Sequence, residues 1–224
     1  MNRAFPTMIK SVLAALVAVT AISASAADAP AAPAAPDAAK GATLFASGDP
    51  ARGIVACQSC HGDGGNATMA VTPKLASQHA AYIVDALNEY KSGDRPHPTM
   101  HAQAISLSAE DMADIAAYLQ GPEPAKPSTK VVGSVPKQVA PCAACHGENG
   151  VGVEAPLTPK PPVLAGQHAD YLEQALLAYR NGRRKNAVMN GMAKLLATDE
   201  DVKAVAAYFS SQPSPLKTAT TDSK

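Results

Sequence analysis

The chain has 224 residues, 46% of them hydrophobic and 17% charged, with 19 basic side chains against 19 acidic ones. That length suits one ordinary domain or two small ones. The zero net charge excludes the basic surplus of a nucleic-acid binder and the acidic run of a cation-binding tail. Aromatics reach only 4%, with no Trp, while 19 Pro and 15 Gly commit much of the chain to turns. Something other than Phe and Trp must therefore fill the core.

From the amino end, residues 1–26 predict a cleaved secretory signal: Arg3 and Lys10, an apolar run from Ser11 to Ile22, then Ala24-Ser25-Ala26. The run is too short to span a bilayer as a helix, although an uncleaved anchor is the alternative. Export implies a periplasmic or extracellular location, where thiols can be oxidised. Residues 27–40 are an Ala/Pro spacer that buries too little to order itself. A helix is expected over Asp37–Ala46, ahead of the first cysteine motif, and the first domain spans 41–121. Inside that domain Ile83, Ala86, Leu87 and Tyr90 fall at helical spacing, and Gly93 stands where such a helix ends. Ser108 and Asp111 form a capping-box start ahead of the stripe Met112, Ile115, Ala116 and Leu119. Residues 122–137 read as a proline-rich linker, 138–212 as a second domain and 213–224 as a frayed polar tail.

The second domain repeats the first. Leu75-Ala-Ser-Gln-His-Ala-Ala-Tyr82 matches Leu164-Ala-Gly-Gln-His-Ala-Asp-Tyr171 at an offset of 89 residues, and Tyr90-Lys-Ser-Gly93 matches Tyr179-Arg-Asn-Gly182. Leu172, Ala175, Leu176 and Tyr179 repeat the first stripe. Thr198 and Asp201 repeat the capping box, ahead of Val202, Val205, Ala206 and Phe209. No run alternates with period two, so the fold class is all-α without a sizeable sheet. Only Lys137–Ala140 precede the second cysteine motif, so its opening helix is truncated or displaced.

Four cysteines sit in two identical settings, Cys57-Gln-Ser-Cys60-His61 and Cys142-Ala-Ala-Cys145-His146. An exported chain with four Cys ordinarily suggests disulfides. A redox CxxC and a zinc ion shared by both motifs are further readings, but the adjoining His favours haem c attachment. Cysteines three apart lie on one side of a helical turn, where two thioethers reach one porphyrin edge, and the next residue projects over the ring. Two covalent haems c follow, with His61 and His146 as fifth iron ligands. Pro73 and Pro162 are candidates to present the carbonyl that fixes each His ring.

The sixth position separates electron carriage, where a thioether closes the iron, from catalysis, where it stays open. Met100, Met189 and Met192 are the candidates. Met100 matches Met189 at the offset of 89, whereas Met192 matches Gln103; Met112 belongs to a core stripe and Met69 has no counterpart. His79 and His168 are better suited to capping or surface roles than to distal ligation. His97 and His101 flank Met100 without a matching His in the second half. Arg183-Arg184-Lys185 is the densest basic run and reads as a solvated turn.

The doubled CxxCHG, the Leu-Ala-[Ser/Gly]-Gln-His-x-x-Tyr element, the Met-bearing loop and the closing Ile/Val-Ala-Ala-Tyr helix together resemble dihaem cytochrome c of the c4 family, over about residues 41–212. The resemblance implies two tandem class I cytochrome c domains, each wrapped around one covalent haem. It implies His61 with Met100 and His146 with Met189 as iron ligands. It also implies a soluble periplasmic electron carrier, not an enzyme, whose partners are a redox donor and acceptor such as membrane respiratory complexes or a terminal oxidase, with neither nucleic acid nor a small-molecule substrate. The alternatives are a cytochrome subunit of a larger dehydrogenase or oxidase, and a dihaem peroxidase or sulfur-oxidising enzyme with one iron left open.

Overall fold

In a computed structural model of the chain, residues 35–121, 130–158 and 160–216 are described. The signal, most of the spacer, the first half of the linker and the end of the tail lie outside them. Helix α1 (Ala38–Ser47) begins where the Asp37 carboxylate accepts from the Ala39 and Lys40 amides. Next come α2 (Gln58–His61), α3 (Ala80–Ser92), α4 (Pro98–Ala104) and α5 (Ala109–Gln120). Helix α1 crosses α5 at Gly41, where a Cβ would stand 2.0 Å from the Asp114 carbonyl oxygen. Only glycine permits that approach, and it lets Phe45 pack with Ile54, Ile83, Leu107, Met112, Ile115 and Leu119.

The second half runs α6 (Ala140–His146), α7 (Ala169–Arg180), α8 (Ala187–Lys194) and α9 (Asp199–Ser210). Among the described residues no helix precedes α6 in the role of α1; a single 3-10 turn at Lys137–Val139 leads into it. Part of the gap is filled from the linker. Val131 packs against the second core, and the Gln212 amide both accepts from and donates to the Val132 backbone. That core gathers Val139, Leu172, Leu196, Val202, Val205 and Phe209. Both capping boxes form, at Ser108 with Asp111 and at Thr198 with Asp201. Gly93 ends α3 in the left-handed region, and Gly182 holds the same conformation just past the end of α7. No strand is named among the described residues, as the lack of period-two runs predicts. One expectation is corrected: the start of the tail is not frayed. Leu216 is buried against Val151, Val163 and Ala165, because the Ser214 hydroxyl donates to the Ala165 carbonyl and turns the chain back.

The repeat is legible in the bonding. Leu75 and Leu164 donate to the Gly65 and Gly150 carbonyls, and Ser77 and Gly166 to those of Leu119 and Phe209. Lys91 caps the Leu107 carbonyl as Arg180 caps that of Leu196. No helix among the described residues is long and apolar enough to cross a membrane.

Candidate haem sites

Each cysteine motif closes a helix. The four-residue turn of α2 and the longer α6 both stop at the residue after the His, where Gly62 and Gly147 turn the chain at φ 74. A Cβ at these glycines would lie 2.6 Å and 2.4 Å from the Asn66 and Gly152 carbonyl oxygens, so the glycine after each His is a steric requirement. The leading thiols of Cys57 and Cys142 lean on the two apolar cores, while Cys60 is exposed and Cys145 partly so. Burial pushes the Cys57 and Cys142 thiols above their ordinary pKa.

His61 and His146 are both buried. Their Nδ1 atoms lie 3.1 Å and 3.0 Å from the Pro73 and Pro162 carbonyl oxygens, as the proline placement predicts. An Nδ1–H donated to a carbonyl fixes the neutral tautomer whose Nε2 lone pair is bare, and neither Nε2 has a hydrogen-bond partner among the described residues. Burial lowers the pKa of both imidazoles, partly offset by the carbonyl bond, which again favours the neutral, ligating form.

Met100 and Met189 occupy one position in two equivalent helices. Each is the third residue of its helix, and its amide donates to an N-cap side chain, His97 Nδ1 at 3.2 Å and Asn186 Oδ1 at 3.0 Å. Both are partly buried, whereas Met192 is exposed one turn further on. The second half carries one extra residue, which falls after α8, between Leu196 and the Thr198 cap, because Leu107 still matches Leu196 at 89 while Ser108 matches Thr198 at 90. His97 and His101 do have counterparts, which are asparagines: His101 Nδ1 lies 2.8 Å from the Tyr90 carbonyl, and Asn190 donates to that of Tyr179 at 2.6 Å. Met112 is core.

Two expectations fail. His79 and His168 make no capping bond to α3 or α7. His168 Nε2 instead reaches the Ala67 carbonyl of the first domain at 2.9 Å, while His79 is buried and its Nε2 has no partner among the described residues. Arg184 is not on a solvated turn. It is 3% exposed, stacked at 4.5 Å over Tyr179 and paired at 2.8 Å with Glu89 across the domain junction. Its repeat mate Arg95 stacks at 4.4 Å over Tyr90 and donates to the Tyr171 hydroxyl at 2.8 Å. The Tyr-x4-Arg spacing, present in both halves at the offset of 89, carried that signal in the sequence. Burial would raise the Tyr82 phenol, but Arg184 and Arg95 outweigh it and hold its pKa below the ordinary value.

This donor set fits haem. Each half offers two thiols on one helical turn, an imidazole with its lone pair free and a thioether held by a capped helix. Arg95 is in addition a buried cation without a carboxylate partner among the described residues, suited to an anion such as a haem propionate. The zinc reading needs both motifs around one ion, and no group of three or more His, Cys, Asp or Glu is gathered among the described residues. Bound haem supplies reversible one-electron iron chemistry. The chain's residues hold it, orient its ligands and exclude water from it.

The cytochrome c family model matches residues 38–121 and again 137–213. The chain is 32% identical to cytochrome c4 of Pseudomonas aeruginosa, over 73% of this chain and 89% of that one. It is 35% identical to a protein of Stutzerimonas stutzeri named thiosulfate dehydrogenase electron acceptor, over 77% and 86%. The crystal structure of reduced cytochrome c4 from Pseudomonas stutzeri superposes with a TM-score of 0.64 at 28% identity, covering 80% of this chain and 100% of that one. A thiosulfate dehydrogenase from Marichromatium purpuratum matches at a TM-score of 0.65 and 33% identity, over 83% of this chain but 41% of that one. With two cytochrome c domains, each carrying a CxxCH motif for a covalent haem c, the chain belongs to the cytochrome c4 family of electron-transfer proteins.

Proposed function

We propose that the protein is a periplasmic dihaem electron carrier and not itself an enzyme, with His61 and Met100 on the first iron and His146 and Met189 on the second. The observation that carries this reading is the matched pair of sites. Both histidines are locked by a proline carbonyl, and both methionines stand third in an equally capped helix. An iron closed on both faces by protein ligands changes oxidation state with little rearrangement and leaves no position for substrate. Donor and acceptor are redox proteins, with a terminal oxidase as the acceptor. Likeness to two proteins named thiosulfate dehydrogenase electron acceptor supports a sulfur-compound dehydrogenase as donor.

The test is haem quantitation with a visible spectrum. Two low-spin haems per chain are expected, with the weak far-red band of sulfur on ferric iron. Met100→Ala and Met189→Ala should each open one haem to carbon monoxide, and Met192→Ala neither. Carbon monoxide binding to the unaltered reduced protein would instead reveal an open iron and favour an enzyme. Reduction by a purified thiosulfate dehydrogenase with thiosulfate tests the donor.

A further inference from the structure

The two domains meet through a reciprocal bond set that reaches the proximal histidines. Gln78, in the first domain, accepts at Oε1 from the Val163 amide at 2.9 Å and donates from Nε2 to the Val163 carbonyl at 3.0 Å. Gln167, in the second, accepts from the Lys74 amide at 2.9 Å and donates to the Lys74 carbonyl at 2.9 Å. Gln78 and Gln167 are related by the offset of 89, and so are Lys74 and Val163, so the contact is isologous within one chain. Both glutamines are at most 3% exposed. Each Oε1 is further fixed by the amide of the next residue, His79 or His168, at 3.0 Å.

Lys74 and Val163 directly follow Pro73 and Pro162. The peptide group whose carbonyl accepts from His61 Nδ1 is therefore the one whose N–H donates to Gln167 across the junction. The peptide facing His146 is held by Gln78 in the same way. Hydrogen bonds in series polarise one another, most strongly where water is excluded. Accepting from the peptide N–H makes its carbonyl a stronger acceptor, which strengthens the His Nδ1–H bond and makes the imidazole a more basic ligand. A more basic ligand favours ferric iron and lowers the potential.

We propose that Gln78 and Gln167 are positioning residues that act crosswise, each setting the basicity of the iron-bound histidine in the opposite domain. Docking of the two halves is then part of each haem's redox environment. This rests on His61 and His146 being the axial ligands.

The test uses the holoprotein and the near-isosteric variants Gln167→Met and Gln78→Met. Both midpoint potentials are read by spectroelectrochemistry and assigned to domains by NMR of the haem methyl groups. Gln167→Met should raise the potential of the first-domain haem and leave the second unchanged; Gln78→Met should do the reverse. In the ferrous protein the His61 Nδ1–H resonance should move upfield in Gln167→Met, and the Lys74 amide should lose its exchange protection. Gln167→Glu puts a stronger, charged acceptor on the Lys74 amide and should move the His61 Nδ1–H resonance downfield of its unaltered position, whereas an unmoved resonance would count against the proposal. If a Met variant does not accumulate, that resonance in the Glu variants decides alone. Potentials that do not move, that move together, or that move in the glutamine's own domain would overturn the proposal, leaving these residues as domain glue. Failure of the axial-ligand reading is separate, because it would show as high-spin iron in the unaltered protein.

Discussion

Gly41→Ala tests the helix crossing on which the first domain is built. The added Cβ would stand 2.0 Å from the Asp114 oxygen, 2.3 Å from its carbonyl carbon and 2.8 Å from the Ile115 nitrogen, where ordinary contact begins at 3.4 Å. All three obstacles are backbone, so no side-chain rotation relieves them, and α1 must move off α5 by roughly 1.4 Å. That displacement opens the seam holding Phe45, which is 1% exposed. Overpacking of this kind costs about 3 kcal/mol. Alanine's better helix propensity returns about 1 kcal/mol. A net loss of about 2 kcal/mol is expected, or roughly 10 °C in the midpoint of the first domain. Urea unfolding of the holoprotein measures the loss. Amide exchange locates it, with protection falling most in α1 and α5 and least in α7 and α9. A variant as stable as the parent, or one that loosens the second half instead, would refute the close crossing.

Ser77 is the single non-glycine residue with positive φ among those described, at 62°, and its repeat mate Gly166 has φ 65. Ser77→Gly should therefore stabilise by about 1 kcal/mol in a thermal melt. Gly166→Ser should destabilise, since its Cβ would lie 2.3 Å from that of Ser214. Desolvation lowers the His79 pKa from 6.5 to about 4, with Lys160 adding to the effect. The unfolded chain thus takes up that proton first. The stabilisation is full above pH 6.5 and is lost as the pH falls toward 4, and an NMR titration should show the His79 ring neutral at pH 5.5. Asp111, held by Arg52 at 2.6 Å, has its pKa lowered to about 2. Its contribution, about 1 kcal/mol after solvent screening, is present above pH 4 and is lost as the pH falls through 2. Arg52→Met should flatten that part of the acid-unfolding curve.

What the sequence disclosed was what repeats or caps. The CxxCHG motifs, the two capping boxes, the apolar stripes and the proline carbonyls are local or periodic, and each stands where its spacing places it. Pairings between halves were not legible. Arg184 reads as a solvated cation because it stands in a basic run with Arg183 and Lys185, and its burial depends on Glu89, 95 residues away. The equivalence of His97 and His101 with Asn186 and Asn190 is hidden by residue type. Imidazole and carboxamide do the same hydrogen-bonding work at those positions, and the register at 89 alone reveals it. Composition places Leu216 in a polar tail, yet one serine hydroxyl folds it onto the body.

The junction shows which parts of a duplicated unit are held fixed by geometry. Gln78 and Gln167 can each grip the other's loop because one arrangement satisfies both copies, and a change to either side leaves a buried amide without its partners, at about 1–3 kcal/mol. Positions off that dyad are free to differ. Glu89 faces Arg184, but its counterpart is Ala178, and among the described residues Arg95 meets phenols and no carboxylate. His168 reaches Ala67, while His79 Nε2 has no partner among the described residues. Symmetric bonds therefore dock the domains, while the charges around the same junction differ between the two halves.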